Sequence, residues 1–166
     1  MKTNNMNQAR LEKVVLNIGG TGEKLERGVK LLEMLSGKKV KRVKSNKRIP
    51  TWNVRPGLEV GVKVTLRGKE AEKMLNRLLP AIKNILKEKQ IQDNFISFGI
   101  EEYIEIPEME YIRDVGVLGL EVTAVFSKPG KRVERKKIDK GNAKKLKVSK
   151  NEIKEIMINK FKTEIK

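Results

Sequence analysis

A block of cationic side chains between Glu33 and Glu59 carries the clearest chemistry in this sequence. The block contains eight lysines and arginines and no acidic residue, so we expect its cations to be unpaired. Cations packed this densely repel one another, and a nucleic-acid backbone is the densest polyanion that neutralises them. We therefore interpret the block as a surface for RNA or DNA. Its cations are Lys38, Lys39, Lys41, Arg42, Lys44, Lys47, Arg48 and Arg55.

The only tryptophan of the chain, Trp52, lies in the same block between Pro50 and Pro56. A run of charge is often no more than a solvated surface, but such a surface usually mixes both signs, and this one does not. An exposed tryptophan is costly on a loop unless a partner stacks on it. The sequence leaves two interpretations of Trp52 open, a contact to nucleic acid or a side chain that folds back into the core.

Composition narrows the classes of function. The chain has 166 residues, 38 basic and 21 acidic, with a net charge of +17 and a pI near 10.1, which is typical of proteins that bind nucleic acid. It has no cysteine and no histidine, which excludes disulfides, Cys-based zinc sites and Ser–His or Cys–His catalysis. We predict no cofactor and no metal.

No apolar run approaches the roughly 20 residues that span a bilayer, and 1–10 has no signal-peptide pattern, so we expect no membrane partner.

The periodicity of apolar residues predicts how this chemistry is positioned. The element order β-α-β-β-α-β-β-α contains the split β-α-β pattern, which indicates an α+β fold with a mostly antiparallel sheet and helices packed on one face. A long basic loop, 46–57, joins the second and third strands. We predict an RNA-binding domain at 1–130 and a basic extension with a short final helix at 131–166. The predicted strands are 11–18, 40–45, 58–67, 95–106 with a break near 101, and 118–126, and the predicted helices lie around 25–35, at 69–90 with a kink or split at Pro80, and after Ser149.

The solvent-facing side of this sheet is predicted to be polar and basic. Strict alternation over 58–67 buries one face of the third strand and leaves the other open. An open polar sheet face is a familiar platform for RNA. Its predicted members are Lys13, Asn17, Lys63, Thr65 and Arg67.

Three further segments invite other interpretations. The turn Gly19-Gly20-Thr21-Gly22 follows a strand and opens a helix, but it meets neither phosphate-loop pattern, so a tight turn or an RNA phosphate at the helix start are the alternatives. The segment 93–114 has seven acids and one base, and we interpret it as an acidic edge that faces solvent or protein. The run 131–150 has ten cations and two acids, which predicts a flexible or RNA-ordered segment.

Several strings, in their order and spacing, resemble the 5S-rRNA-binding family of the large ribosomal subunit, universal protein number five. The resemblance covers about residues 10–128, and the basic extension after Pro129 is similar to the archaeal branch. The strings are LEKVVLNIG (11–19), LSGKK (35–39), IPTWNVRPG (49–57), GVKVTLRG (61–68), FGI (98–100), IPEM (106–109) and GLEV (119–122).

The resemblance implies that the protein holds 5S rRNA against large-subunit rRNA in the central protuberance of the cytoplasmic ribosome, beside other ribosomal proteins. Asn17, Lys38 and Thr65 match positions that hydrogen-bond 5S rRNA, with Lys38 in place of the amide of bacterial members. Residues 46–56 match the loop that reaches the tRNA of the peptidyl site. That loop contributes Lys47, Arg48, Trp52, Asn53 and Arg55.

We therefore expect a non-catalytic ribosomal protein. The rRNA-binding residues would be Lys13, Asn17, Lys38, Lys39, Arg42, Lys44, Lys63, Thr65 and Arg67. Two other classes stay open. One is a general nucleic-acid chaperone outside the ribosome, and the other is an enzyme that acts on a phosphorylated substrate at the Gly19–Gly22 turn.

Overall fold

The computed structural model describes residues 6–130, 133–134, 136–141 and 146–166, and it has the predicted α+β fold. Six strands form one sheet in the order β2-β3-β1-β7-β6-β5, and β4 pairs with β8 in a second, two-stranded sheet. The pairs β2–β3 and β5–β6 are antiparallel. The strands are β1 (Arg10–Gly19), β2 (Lys41–Lys44), β3 (Glu59–Arg67), β4 (Ile85–Leu86), β5 (Ile91–Gln92), β6 (Phe95–Ile100), β7 (Leu120–Ser127) and β8 (Glu164–Ile165), and the helices are α1 (Glu23–Ser36), α2 (Lys69–Leu78) and α3 (Lys150–Phe161).

The chain divides into two compact units. The α1 unit contains residues 15–66 and 99–122, and the α3 unit contains 67–98 with the described parts of 1–14 and 123–166. Strands β1, β3, β6 and β7 contribute residues to both units. The predicted division into 1–130 and 131–166 stays a prediction, and part of the basic run 131–150 lies outside the described residues.

Helix α1 forms where apolar residues recur at helical spacing, and it packs on the buried face of the sheet. Gly28 is the point of closest approach, because a Cβ atom there would lie 3.2 Å from Ile18 and 3.2 Å from Val62. The helix ends at Gly37, which adopts a left-handed φ of 62° and donates its N–H to Glu33 O. Since side chains alternate along a strand, the neighbours of Ile18 and Val62 point to the opposite, open face.

The alternation predicted for the third strand is confirmed over 62–67, whereas Leu58, predicted to point inward, lies before β3 and is exposed. Val62, Val64 and Leu66 are buried, whereas Thr65 is exposed and Lys63 is half-buried. The strand therefore presents a polar face on the side away from α1.

Helix α2 is shorter than predicted. It ends at Leu78, just before Pro80, because proline has no N–H to continue the helical hydrogen bonds and its ring clashes with the preceding turn. A single 3₁₀ turn, Leu79–Ile82, follows, and Lys83 and Asn84 then turn the chain with φ of 57° each. The split at Pro80 is confirmed, but the helical prediction for 83–87 is wrong, and 88–90 form only a 3₁₀ turn.

The predicted strand 95–106 is also too long. Strand β6 ends at Ile100, near the predicted break, and a 3₁₀ turn at Tyr103–Glu105 replaces the rest. The ring of Tyr103 is buried, and its hydroxyl accepts a hydrogen bond from Ile112 N at 2.8 Å. Burial of this ring fixes the course of the acidic segment that follows.

Helix α3 begins where the capping pattern predicts. Glu152 N donates to Ser149 Oγ at 3.4 Å, and Ser149 N donates to Glu152 Oε2 at 2.9 Å. Ile153 and Met157 on one face of the helix are fully buried. The prediction of a final helix is confirmed, whereas the short strand β8 after it carried no sequence signal that we recognised.

An ion pair at the start of α3 makes stability depend on pH. Lys128 Nζ donates to Glu152 Oε1 at 2.6 Å, and this hydrogen bond holds the pKa of the Glu152 carboxyl below its ordinary value of 4.5. A carboxyl with a lowered folded-state pKa stabilises the fold above its unfolded pKa, and the contribution is lost as pH falls through the folded value. We expect Glu152→Gln to lower the free energy of unfolding at pH 7, with a difference from wild type that shrinks steadily below pH 4.5.

Urea unfolding across a pH series measures this effect. Glutamine keeps an oxygen for the cap, so the variant removes mainly the charge. Glu155→Gln, an exposed position on the same helix, is the matched control and should leave the pH profile unchanged. A Glu152→Gln difference that stays constant from pH 7 to pH 3 would contradict the ion-pair explanation.

Candidate nucleic-acid interface

The open sheet face of the α1 unit brings predicted RNA contacts together. Asn17 on β1 and Lys63 and Thr65 on β3 lie on this face, since their strand neighbours Ile18, Val62 and Val64 are buried. Because β1 and β3 are adjacent strands, the three polar side chains share one surface. The structure thus brings three of the five predicted platform residues together, and their role in RNA binding stays a prediction.

An acidic residue also lies on this face. Asn17 Nδ2 donates to Glu121 Oε2 at 3.1 Å, so the β7 carboxylate orients the amide and leaves the Asn17 oxygen to accept from a ligand. Sequence reasoning did not include Glu121. Glu121 alternates with buried Leu120 and Val122, so the sequence could have placed it on the open face of the sheet. The sequence could not have shown that Glu121 lies next to Asn17, because that depends on the order of the strands.

A shallow cavity of about 480 Å³ adjoins this pair. Its floor includes Gly19, Gly99 and Gly119, and Lys24 lies at its margin. Added Cβ atoms at Gly19 and Gly99 would meet no heavy atom within 4 Å, so the backbone is open to a ligand there. A backbone without side chains permits close approach of a bulky partner.

Strand β2 carries the basic block to one edge of the sheet. Within the part of the chain that the structure describes, β2 pairs only with β3, and Lys41 lies opposite Lys63. Among the described residues, no ion pair joins Lys39, Lys44 or Lys47 to a carboxylate, and all three side chains are exposed. Exposed cations without acidic partners are available to phosphates. Lys38, which precedes β2, is exposed as well.

Arg42 differs from its neighbours in the block. It forms a paired contact with Glu26 (Nη1–Oε1 2.7 Å, Nη2–Oε2 2.9 Å) and a third with Glu59 (Nη1–Oε2 3.0 Å). These hydrogen bonds, led by the one to Glu59, raise the pKa of the guanidinium. The expectation that every cation of the block is unpaired is therefore wrong for Arg42, which joins β2 to α1 and β3. Its predicted contact to rRNA stays a prediction.

The loop between β2 and β3 has a defined conformation. Ile49 and Val54 exchange backbone hydrogen bonds of 2.9 and 3.0 Å around a 3₁₀ turn, Pro50–Trp52. Val54 is buried, whereas the Trp52 side chain is 74% exposed. The interpretation of Trp52 as a core residue is thus wrong. Asn53 has a left-handed φ of 52°, and the other predicted tRNA-contacting residues of the loop, Lys47, Arg48 and Arg55, are exposed.

Two predicted rRNA contacts belong to the α3 unit. Lys13 on β1 is half-buried, and Arg67 at the end of β3 is exposed with its Nη1 3.6 Å from Glu12 Oε1. The Arg67 side chain of this pair is exposed, whereas the Glu12 side chain is mostly buried, so the guanidinium stays accessible to a ligand.

The glycine turn before α1 offers little to a free phosphate. Gly20 N already donates to Val60 O at 3.1 Å, and the first helical turn carries Glu23 and Glu26, whose charges oppose an anion. Gly22 stands at the helix start with φ of 59° and no side-chain cap. The turn therefore acts as a tight connection rather than a phosphate loop.

The glutamates of the acidic segment lie on the surface, as both of its interpretations, an edge facing solvent or an edge facing protein, require. Its glutamates are exposed, and no group of three or more acidic residues in the described chain is arranged to hold a metal ion. Within the described residues no helix has the length and apolar character to cross a membrane. The exposed glutamates are Glu101, Glu102, Glu105, Glu108 and Glu110.

The α+β fold, the acid-free basic edge and the polar open sheet face together define the class of RNA-binding proteins. A family model for the C-terminus of the ribosomal protein L5 family matches residues 59–154. The chain belongs to this ribosomal family, whose members are proteins of the large ribosomal subunit and not enzymes. The resemblance found in the sequence is confirmed.

Three archaeal relatives show the extent of the similarity. Each is named large ribosomal subunit protein uL5. The chain is 46% identical to the protein of Nanoarchaeum equitans over 80% of both chains, and 38% identical to that of Sulfurisphaera tokodaii over 98% of this chain and 94% of the relative. It is 39% identical to the protein of Aeropyrum pernix over 85% of this chain and 76% of the relative.

Proposed function

We propose that this protein binds 5S rRNA through the open sheet face of the α1 unit and anchors it to large-subunit rRNA in the central protuberance. The observation that carries the proposal is the shared surface of Asn17, Lys63 and Thr65, with exposed cations on the edge strand beside it. Lysines there neutralise phosphates and set affinity, while Asn17 and Thr65 set orientation by uncharged hydrogen bonds. In this proposal the acidic segment 93–114 contacts neighbouring ribosomal proteins rather than RNA.

The 46–56 loop is proposed to contact the tRNA of the peptidyl site. Its support is the exposed Trp52 at the end of the 3₁₀ turn, with exposed Arg48 and Arg55 on the loop to either side of that turn. The chain has no cysteine, so Asn53→Cys creates a single attachment point for a crosslinker on the assembled ribosome. Crosslinks to peptidyl-site tRNA support the contact, and crosslinks confined to rRNA or protein contradict it.

The experiment that tests 5S rRNA binding is a salt series with 5S rRNA and an unrelated duplex of equal length. Both affinities should fall steeply with salt, because phosphate contacts release counterions. We expect 5S rRNA to keep an advantage of more than roughly tenfold, or about 1.4 kcal/mol. Coincident curves would favour a general nucleic-acid chaperone.

Thr65→Val tests the sheet face without changing charge. Valine has the shape of threonine but no hydroxyl, so the variant removes one hydrogen-bonding group from an exposed position. We expect affinity for 5S rRNA to fall by about fivefold, which corresponds to one ordinary hydrogen bond, with an unchanged salt slope. Thr51→Val, in the loop, is the matched control and should leave 5S rRNA binding unaltered. Equal effects of both variants would argue against a specific role for the sheet face.

A further inference from the structure

A second cavity, of about 690 Å³, lies in the α1 unit between the β2–β3 loop and the turn that precedes α1. Ile49, Trp52 and Val54 line it from the loop, and Val60 lines it from β3. Thr21 and Lys24 line it from the turn and the first turn of α1. One side of the cavity is therefore apolar and aromatic, and the other side carries a hydroxyl and an ammonium group.

The backbone holds this cavity open without a ligand. The loop is closed at its base, where Ser45 N donates to Leu58 O and Gly57 N donates to Ser45 O, both at 2.8 Å. The bridge between Ile49 and Val54 fixes the loop on either side of Trp52. The Lys24 side chain lies over Gly20, since its Cγ would be 3.0 Å from a Cβ atom added to that glycine. Because the loop is already ordered, binding of a ligand loses little conformational entropy of the loop.

The chemistry of the cavity fits a nucleotide. An exposed indole offers a planar surface on which any base can stack, and aliphatic side chains complete an apolar slot. The hydroxyl of Thr21 can donate to or accept from a base edge, and the Lys24 ammonium can pair with a phosphate. Glu23 and Glu26 of the first helical turn do not line the cavity, and Lys24 is the one charged residue among the described residues that do. The segment 34–58, which supplies the loop, contains no acidic residue, so an anionic chain is favoured over an apolar protein segment as the occupant.

We propose that this cavity receives one unpaired nucleotide of a bound RNA, with its base stacked on Trp52 and its phosphate paired with Lys24. The inference rests on the RNA-binding part of the proposed function and adds a site for a base outside a helix. A base within a duplex is stacked between its neighbours and cannot enter such a slot. The cavity would therefore select bulged or looped nucleotides over continuous duplex.

Trp52 reports directly on this site, since it is the only tryptophan in the chain. The full-length protein is titrated with an RNA hairpin that carries one bulged adenosine and with the same hairpin without the bulge. We expect the bulged hairpin to quench tryptophan emission and to bind about tenfold more tightly, as one base–aromatic stack would provide. Equal binding of the two hairpins with unchanged emission would overturn the inference.

Variants separate stacking from nonspecific effects. Trp52→Ala should abolish the preference for the bulge, and Trp52→Phe should retain most of it, because phenylalanine keeps an aromatic face. Tyr111→Ala is the matched control, since Tyr111 is an exposed aromatic residue that does not line the cavity. Loss of the preference in Tyr111→Ala to the same degree as in Trp52→Ala would count against the cavity as the site.

Parallel titrations with 5S rRNA and an unrelated duplex distinguish the two proposals. Preference for 5S rRNA without preference for the bulge overturns the nucleotide site and leaves the proposed function standing. Preference for the bulge without preference for 5S rRNA supports the site and overturns the 5S assignment. Absence of binding to every RNA overturns both.

Discussion

Replacing Lys39, Lys41 and Lys44 together with glutamine is expected to weaken 5S rRNA binding by roughly 100-fold near physiological salt. These side chains are exposed on and beside the edge strand β2, and within the described residues none of them has a carboxylate partner. Each phosphate contact that is lost also removes about 0.7–0.9 from the slope of log affinity against log salt. The slope should therefore fall by about 2–3.

The matched control removes the same charge from the α3 unit. Lys73, Lys83 and Lys89 are exposed and lie outside the proposed interface, so their replacement by glutamine should change affinity by less than about threefold through net charge alone. Filter binding or fluorescence anisotropy over a salt series measures both affinity and slope. Equal losses in the two triple variants would mean that net charge, rather than the β2 edge, attracts the RNA.

Gly119→Ala is expected to destabilise the fold by about 2–3 kcal/mol. An alanine Cβ at this position would lie 2.7 Å from Glu101 O and 2.9 Å from Ile100 O. Both are backbone atoms, so a side-chain rotation cannot relieve the clash. The adjacent hydrogen bond from Tyr103 N to Leu118 O, at 3.0 Å, ties the two segments together and resists their separation.

Gly99→Ala provides the matched control for this effect. Its Cβ would have no heavy atom within 4 Å, so its free energy of unfolding should stay within about 0.5 kcal/mol of wild type. Urea unfolding followed by circular dichroism compares the two variants. A Gly119→Ala variant as stable as Gly99→Ala would show that the β6–β7 connection shifts more readily than its backbone packing indicates.

The sequence correctly predicted the elements that carry a clear local signal, such as a terminal glycine, a capping box or strict alternation of apolar residues. Helix α1 is bounded by glycines at both ends, β3 alternates over its whole length, and the Ser149–Glu152 cap starts α3. The prediction failed after Pro80, where an apolar run with helical spacing turns through Lys83 and Asn84 into β4. Strand β8, the partner of β4, lies at the far end of the chain, so no local pattern could reveal the pairing.

The sequence by itself determined the order of the main elements, the acid-free basic block and the resemblance to a ribosomal family, because composition, periodicity and short strings are local properties. Tertiary structure alone decided which charges are neutralised. Arg42 meets Glu26 and Glu59 from two other elements, and Asn17 meets Glu121 across 104 positions. Tertiary structure also decided that Trp52 is exposed and lines a preformed cavity. Such contacts depend on strand order and on where α1 packs, which bring together residues that are remote in the chain.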